Sequence, residues 1–304
     1  MSEHINEPVA AHDEVVPLEE LRRDSIEHAG GKGANLGELI TAGFDVPPGF
    51  CVTTAAYRRA VAQAGLAGEI DEALREVRSD DPASAEAASA CIVALFEDLP
   101  LPNDLSEALA AYRALGEPPV AVRSSATAED LPGASFAGQQ ATSLNVRDAD
   151  ALLDAVRHCW GSLWSARAIV YRQHQGFHHD RVAVAVVVQQ LVPAEVSGLL
   201  FTANPMTGAR DEIVVNAAFG LGEAILGALI TPDSFTLDRK TLAVRERRTG
   251  FQEVETVLAE RGTAEHPLDP ERSAVPTLSD AQLARLGEIG LRIERHFGRP
   301  QDVE

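Results

Sequence analysis

The sequence is short of cysteine, of basic charge and of long apolar runs, and each shortage removes a class of function. Cys51, Cys91 and Cys159 are the three thiols among 304 residues. They stand in no CxxC or Cys/His spacing, which argues against a disulfide framework or a zinc site and predicts small, buried apolar residues. Twenty-six bases against 46 acids leave a formal charge of −20, whose field disfavours nucleic acid and anionic membrane surfaces as partners. No apolar run approaches the roughly 18 residues of a membrane span. Residues 1–13 also lack the basic start and apolar core of a signal peptide, so a cytoplasmic location is expected. The GxxxxGK[ST] phosphate loop is missing too.

What the sequence does contain is organised around residues 120–146, VAVRSSATAEDLPGASFAGQQATSLNV. Val120, Ala121 and Val122 predict a short buried strand, followed by Arg123 and a loop of small hydroxylated residues, Ser124 to Thr127. Gly133, Gly138 and their small neighbours extend this loop as a flap over 128–138, up to the alternating Thr142, Leu144 and Val146. Such a segment lets backbone amides and one cation approach an anion. The plainer alternative is a surface hairpin in which Arg123 pairs with Glu129 or Asp130, worth roughly 0 to 1 kcal/mol.

A second cation stands in GGKGANLGELITAGF. Lys32 lies between glycines just before Ala34, Leu36, Leu39 and Ile40, which have helical spacing, and Gly43 is placed to end that helix. A lysine at a glycine-rich helix start suits phosphate, because free amides, the helix dipole and an ammonium act together. From Thr54 to Gly116 the Ala-, Leu-, Glu- and Arg-rich sequence predicts a helical layer broken near residues 80–82 and 99–103. Its acids read as a solvated face, and no heptad persists long enough for a coiled coil.

Asp148 opens a further helical segment whose stripe runs through Leu152, Val156, Cys159, Trp160 and Trp164 toward Ile169 and Tyr171; the tryptophans are expected in the core rather than as stacking platforms. His178 and His179 follow in what reads as a solvated turn, metal binding being the minor alternative. Residues 182–188 are all apolar, predicting a strand buried on both faces, with the amide of Gln189 at its end where a ligand could bond it. Strands are also expected at 196–202, 212–217 and 234–237. Gly220 and Gly222 precede a helix whose Glu223 is either an ordinary first-turn acid or a group near nucleotide or metal. Residues 250–276 read as a long polar excursion. Ser279 then caps a helix with Leu283, Leu286, Ile289, Ile293 and Phe297 on one face, ending at Gly298, and 299–304 predict the start of a strand.

Together the strings GGKGANLG, VPPGFCVTT, RSSATAEDLPGASFAGQ, FGLGEAILGALITPDSFTLDR and FGRPQDVE, in this order over about 18–304, resemble the nucleotide-binding domain of pyruvate phosphate dikinases, phosphoenolpyruvate synthases and rifampin phosphotransferases, most closely the last. The resemblance implies an α+β, ATP-grasp fold in which two lobes clasp ATP and magnesium, with a frayed start at 1–13, a first lobe at 14–190 and a second at 191–304. It implies transfer of the pyrophosphoryl group of ATP to a histidine on a swivelling domain, forming AMP and phosphate, for phosphorylation of rifampin or, alternatively, pyruvate. A non-catalytic nucleotide-binding module is the third reading.

Position by position, the family's phosphate-binding lysine and arginine fall on Lys32 and Arg123, Arg123 also counting as catalytic. Gly138 and Thr142 match flap residues near the phosphates, and Gln189 lies toward adenine. Glu304 matches the acid of QDxE, with catalytic, nucleotide and metal roles. The family continues past QDxE into a Gln-x-Arg strand, and none of the nine histidines here stands in a segment like its phosphohistidine loop. The expectation is therefore an N-terminal portion whose partners are the phosphohistidine domain and an acceptor-substrate domain.

Overall fold

The structure is a computed structural model that describes residues 13–78, 80–99, 105–127, 141–176, 179, 182–227 and 230–304. The chain divides into two compact units, Met1–Leu191 and Val192–Glu304. Both are α+β with antiparallel sheets, as the ATP-grasp expectation requires.

The first unit runs β1 (Val15–Pro17), α1 (Ile26–Thr41), β2 (Gly49–Val52), α2 (Thr54–Gln63), α3 (Ala67–Arg75), α4 (Pro82–Glu97), α5 (Ser106–Ala114), β3 (Val120–Ala126), β4 (Thr142–Val146), α6 (Ala149–Ser162), α7 (Ala166–Gln175) and β5 (Val184–Gln190). Its five strands form one sheet in the order β1-β2-β5-β3-β4, every neighbouring pair antiparallel. The apolar run of β5 sits in the middle, and all its residues but Gln190 are buried. This follows from cover on both faces. Val184, Val186 and Val188 pack with Val120 and Val122 against Trp160, Cys159 and the helical layer, whereas Ala185 and Val187 meet Ala29, Leu36 and Ile40 of α1 on the other side. Trp160 is fully buried and Trp164 nearly so, both in the core as predicted.

Several local expectations need correction. Arg123, Ser124 and Ser125 belong to β3 rather than to a loop, because each pairs across to β5; ladder bonds on a two-sided buried sheet outweigh the turn preference of small hydroxylated residues. The segment after Asp148 is two helices. Asp148 caps the first through the Ala151 N–H, and Ser165 caps the second through Ala168. Cys51 and Cys159 are buried, and burial pushes both thiols up to about 12, but Cys91 is exposed. His179 is half-buried rather than solvated: its Nδ1 accepts from Arg172 Nε at 3.1 Å, and its ring lies 6.2 Å from that of Trp164. His178 lies outside the described residues.

The second unit runs β6 (Val196–Phe201), β7 (Glu212–Phe219), α8 (Glu223–Leu226), β8 (Asp233–Asp238), β9 (Val244–Arg248), β10 (Val254–Leu258), β11 (Thr263–Pro267), α9 (Pro270–Ser273), α10 (Asp280–Phe297) and β12 (Asp302–Val303). Its main sheet has the order β12-β6-β7-β8-β9. The polar excursion expected over 250–276 is in fact largely the hairpin β10–β11 and the short α9. Its strands alternate with charged residues and leave β11 largely exposed, so they carry no apolar signature.

Helix α10 starts as predicted, with Ser279 and Gln282 forming a reciprocal capping box, and ends at Gly298 in the left-handed region. Its buried face includes two glycines. A side chain at Gly290 would press on Leu200 and one at Gly287 on Leu242, so the helix lies close against the sheet.

Candidate nucleotide-binding site

The first unit builds its candidate site on the face of the sheet that α1 covers. Register puts Arg123 opposite Val187 of β5 and opposite Thr142 of β4, and Ala121 opposite Gln189. Directly paired residues point the same way and alternate residues along a strand share a face. Arg123, Ser125, Thr142 and Gln189 therefore share the face carrying Ala185 and Val187. Arg123 is half-buried, Thr142 exposed and Gln189 only 8% exposed.

The Gln189 amide is already engaged. Its Nε2 donates to the Pro47 carbonyl at 3.0 Å, an internal tie that the sequence reading did not foresee. It fastens the turn before β2 to β5.

Lys32 lies on α1, the helix that covers this face. α1 begins at Ile26, six residues earlier than a start at Lys32 would place it, but it is broken at Gly30, whose φ of 66° and ψ of 177° are not helical. A second helical start therefore follows Gly30, leaving first-turn N–H groups without intrahelical carbonyls. Lys32 lies on that turn, one helical repeat before Leu36 and two before Ile40. These two pack onto the sheet, so the half-buried lysine occupies the end of the sheet-facing stripe. The helix closes as predicted, with Gly43 in the left-handed region and bonds from Gly43 N to Ile40 O and Phe44 N to Leu39 O.

The break is held from the strand. Ser125 Oγ donates to the Ala29 carbonyl at 2.7 Å and accepts from the Gly33 N–H at 3.2 Å. A side chain at Gly30 would run into the Ser125 carbonyl and hydroxyl, so glycine is required there twice over, by space and by its positive φ. Nothing local in the sequence signals this contact across more than 90 residues.

In the second unit, Glu304 follows β12 and is exposed. Its strand is fastened through Thr202, whose N–H donates to the Gln301 carbonyl at 2.9 Å and whose Oγ1 accepts from the Gln301 N–H at 2.8 Å. Arg239 reaches the Thr202 carbonyl at 2.8 Å and grips both oxygens of Glu294 at 2.9 and 2.6 Å. That hydrogen bonding holds the Glu294 carboxyl below its usual range. Glu223 accepts from the Thr263 hydroxyl at 2.6 Å, in the first turn of a helix only four residues long.

Among the described residues no group of three or more His, Cys, Asp or Glu side chains converges as a metal site. Gly138 and the expected flap at 128–138 lie outside the described residues. No helix among the described residues is long and apolar enough to cross a membrane.

Two antiparallel α+β units, with a glycine-broken helix start and an arginine on one sheet face, define a nucleotide-binding domain of the ATP-grasp type. The profile of the pyruvate phosphate dikinase AMP/ATP-binding domain matches residues 26–304, and the chain belongs to that family.

Curated relatives include a probable phosphoenolpyruvate synthase of Methanocaldococcus jannaschii, 44% identical over 297 residues, covering 94% of this chain and 25% of that protein. A probable phosphoenolpyruvate synthase of Methanothermobacter thermautotrophicus is 43% identical over 294 residues, with 94% and 43% covered. The rifampicin phosphotransferase of Streptomyces sviceus is 46% identical over 294 residues, with 95% and 34% covered. The chain thus spans 25% to 43% of the length of these relatives.

Proposed function

We propose that this domain binds ATP with magnesium and activates it for pyrophosphoryl transfer to a histidine on a swivelling domain, releasing AMP; the pyrophosphoryl-histidine then loses its terminal phosphate, and the phosphoryl group left on the histidine passes to an acceptor. The observation that carries the reading is the joining, through Ser125, of the helix start bearing Lys32 to the strand bearing Arg123. Phosphoryl transfer is mainly positioning and charge neutralisation. Lys32 would supply a point charge, the helix start amide donors, and Arg123 a planar fork for phosphate oxygens. Thr142, paired with Arg123, would lie beside the phosphates with Gly138, and Gln189 toward the base. Glu304 would give a carboxylate to magnesium, whose chemistry is to neutralise the phosphate oxygens. Arg123 and Glu304 are thus the proposed catalytic groups.

Rifampin is the proposed acceptor, on the 46% identity to the Streptomyces protein. Pyruvate is the second reading, because phosphoenolpyruvate synthases lie within a few per cent of that identity. A cytoplasmic setting is part of the proposal.

The test is labelling with β-³²P ATP, the 304-residue chain being mixed with the phosphohistidine and acceptor domains of a full-length relative. Label on the added histidine, with AMP release that depends on rifampin, is the expected result. Dependence on pyruvate instead would move the acceptor. Binding of ATP without any transfer would leave only a nucleotide-binding module.

A further inference from the structure

We propose that Ser125 is a positioning residue for nucleotide, acting through Lys32. The inference rests on the ATP-binding reading above and goes beyond it by assigning a role to a side chain that does not itself meet the ligand. Ser125 is fully buried, so any effect on nucleotide must pass through what it touches.

Its two hydrogen bonds are placed on either side of the Gly30 break. The carbonyl of Ala29 ends the first helical turn and takes the Ser125 hydroxyl proton, while the Gly33 N–H, in the first turn of the resumed helix, donates to the same oxygen. One hydroxyl therefore caps both ends of the interruption, a task that a local side chain usually performs for one end only. Lys32 lies between these two anchors in the chain.

The other consequence is register. Ser125 and Arg123 are two residues apart on one strand, so they share a face about 7 Å apart. Fixing the helix start onto Ser125 fixes the approach of the lysine to the face from which Arg123 projects. Burial of Gly30 against the Ser125 backbone sets the distance, and the hydroxyl sets the rotation and the end-to-end position of the turn. Without the hydroxyl the Gly33 N–H and the Ala29 carbonyl would each have to find another partner in a buried site, and the easiest relaxation is movement of the turn that bears Lys32.

The experiment is a double-mutant cycle on the 304-residue chain, with the affinity for ATP in magnesium measured by calorimetry and folding checked by circular dichroism and thermal melting. Ser125→Ala is expected to weaken binding about tenfold, the size of one lost hydrogen-bonding role. In a Lys32→Ala background the same change should alter affinity less than about twofold, since the group it positions is gone. In an Arg123→Ala background it should keep its tenfold effect. If Ser125→Ala does not fold, Ser125→Cys takes its place in the cycle; its weaker donor and acceptor should give a smaller loss that again vanishes with Lys32. Unchanged affinity in the single variant, or an equal loss with and without Lys32, would overturn the proposal while leaving the nucleotide reading intact. Absence of ATP binding by the unaltered chain would overturn both.

Discussion

The two sheets of this molecule contrast in what covers them. The centre of the first unit's sheet is buried on both faces, so β5 is apolar from Val184 to Val188, and even Ser124 and Ser125 of β3 are 3% and 0% exposed. In the sheet of the second unit β8 alternates between buried and half-buried positions, and β9 is mostly exposed. Its polar side is crossed by ion pairs such as Arg245 with Asp211, Glu212 and Asp238. The proposed cationic site would need supports that cannot shift in order to meet phosphate, and the two-sided packing around β5 and β3 provides them.

This contrast can be broken most severely at the first core. Trp160→Ala should cost about 3 to 5 kcal/mol, because a large fully buried side chain leaves a cavity between α6 and the sheet. A denaturant titration should show the loss in the unfolding of the first unit. Arg123→Ala should leave the fold in place and weaken ATP by about 1.5 to 3 kcal/mol, as for a lost charge-assisted contact. Calorimetry showing unchanged affinity would remove Arg123 from the site.

In the second unit the largest single polar effect should come from Arg239→Ala, which removes both bonds to Glu294. A loss of about 1 to 2 kcal/mol is expected at neutral pH. The Glu294 carboxyl is held below its ordinary value of 4.5, so its stabilisation is present above that pH and disappears as pH falls through the lowered value. Melting curves of variant and unaltered chain should accordingly converge as the pH is taken below 4.5; a constant gap would show that the arginine acts by packing alone. The smallest effect is expected for Thr236→Val on the half-buried face of β8, within about 0.5 kcal/mol. A loss of several kcal/mol there would mean that this face is packed as tightly as the first sheet.

Much of this architecture can be read from the sequence where the signal is local. The cap at Ser279, the helix start at Asp148 and the apolar run of β5 each occupy a few consecutive residues and fold as read. What is not legible depends on distance along the chain. The hydroxyl of Ser125 looks like turn chemistry until β5, some 60 residues later, pairs with its strand, and its partners Ala29 and Gly33 lie more than 90 residues away. The β10–β11 hairpin is hidden for another reason. Its largely exposed second strand needs no apolar alternation, so polar residues such as Glu265 and His266 read as loop. For the candidate site, Lys32 and Arg123 stand out as cations on an acidic chain, but the shared sheet face that joins Arg123, Thr142 and Gln189 is a matter of register, which residue types alone do not carry.

The central claim is that nucleotide phosphate is held at Lys32. Lys32 and Lys240 are the only lysines of the chain, one in each unit, which makes amine acylation followed by mass spectrometry a direct measurement with a built-in control. ATP with magnesium should lower the labelling rate of Lys32 by about tenfold or more, the size of a close charge-assisted contact, and leave that of Lys240 unchanged. Equal labelling of Lys32 with and without ATP, at concentrations where calorimetry shows the site to be filled, would contradict it.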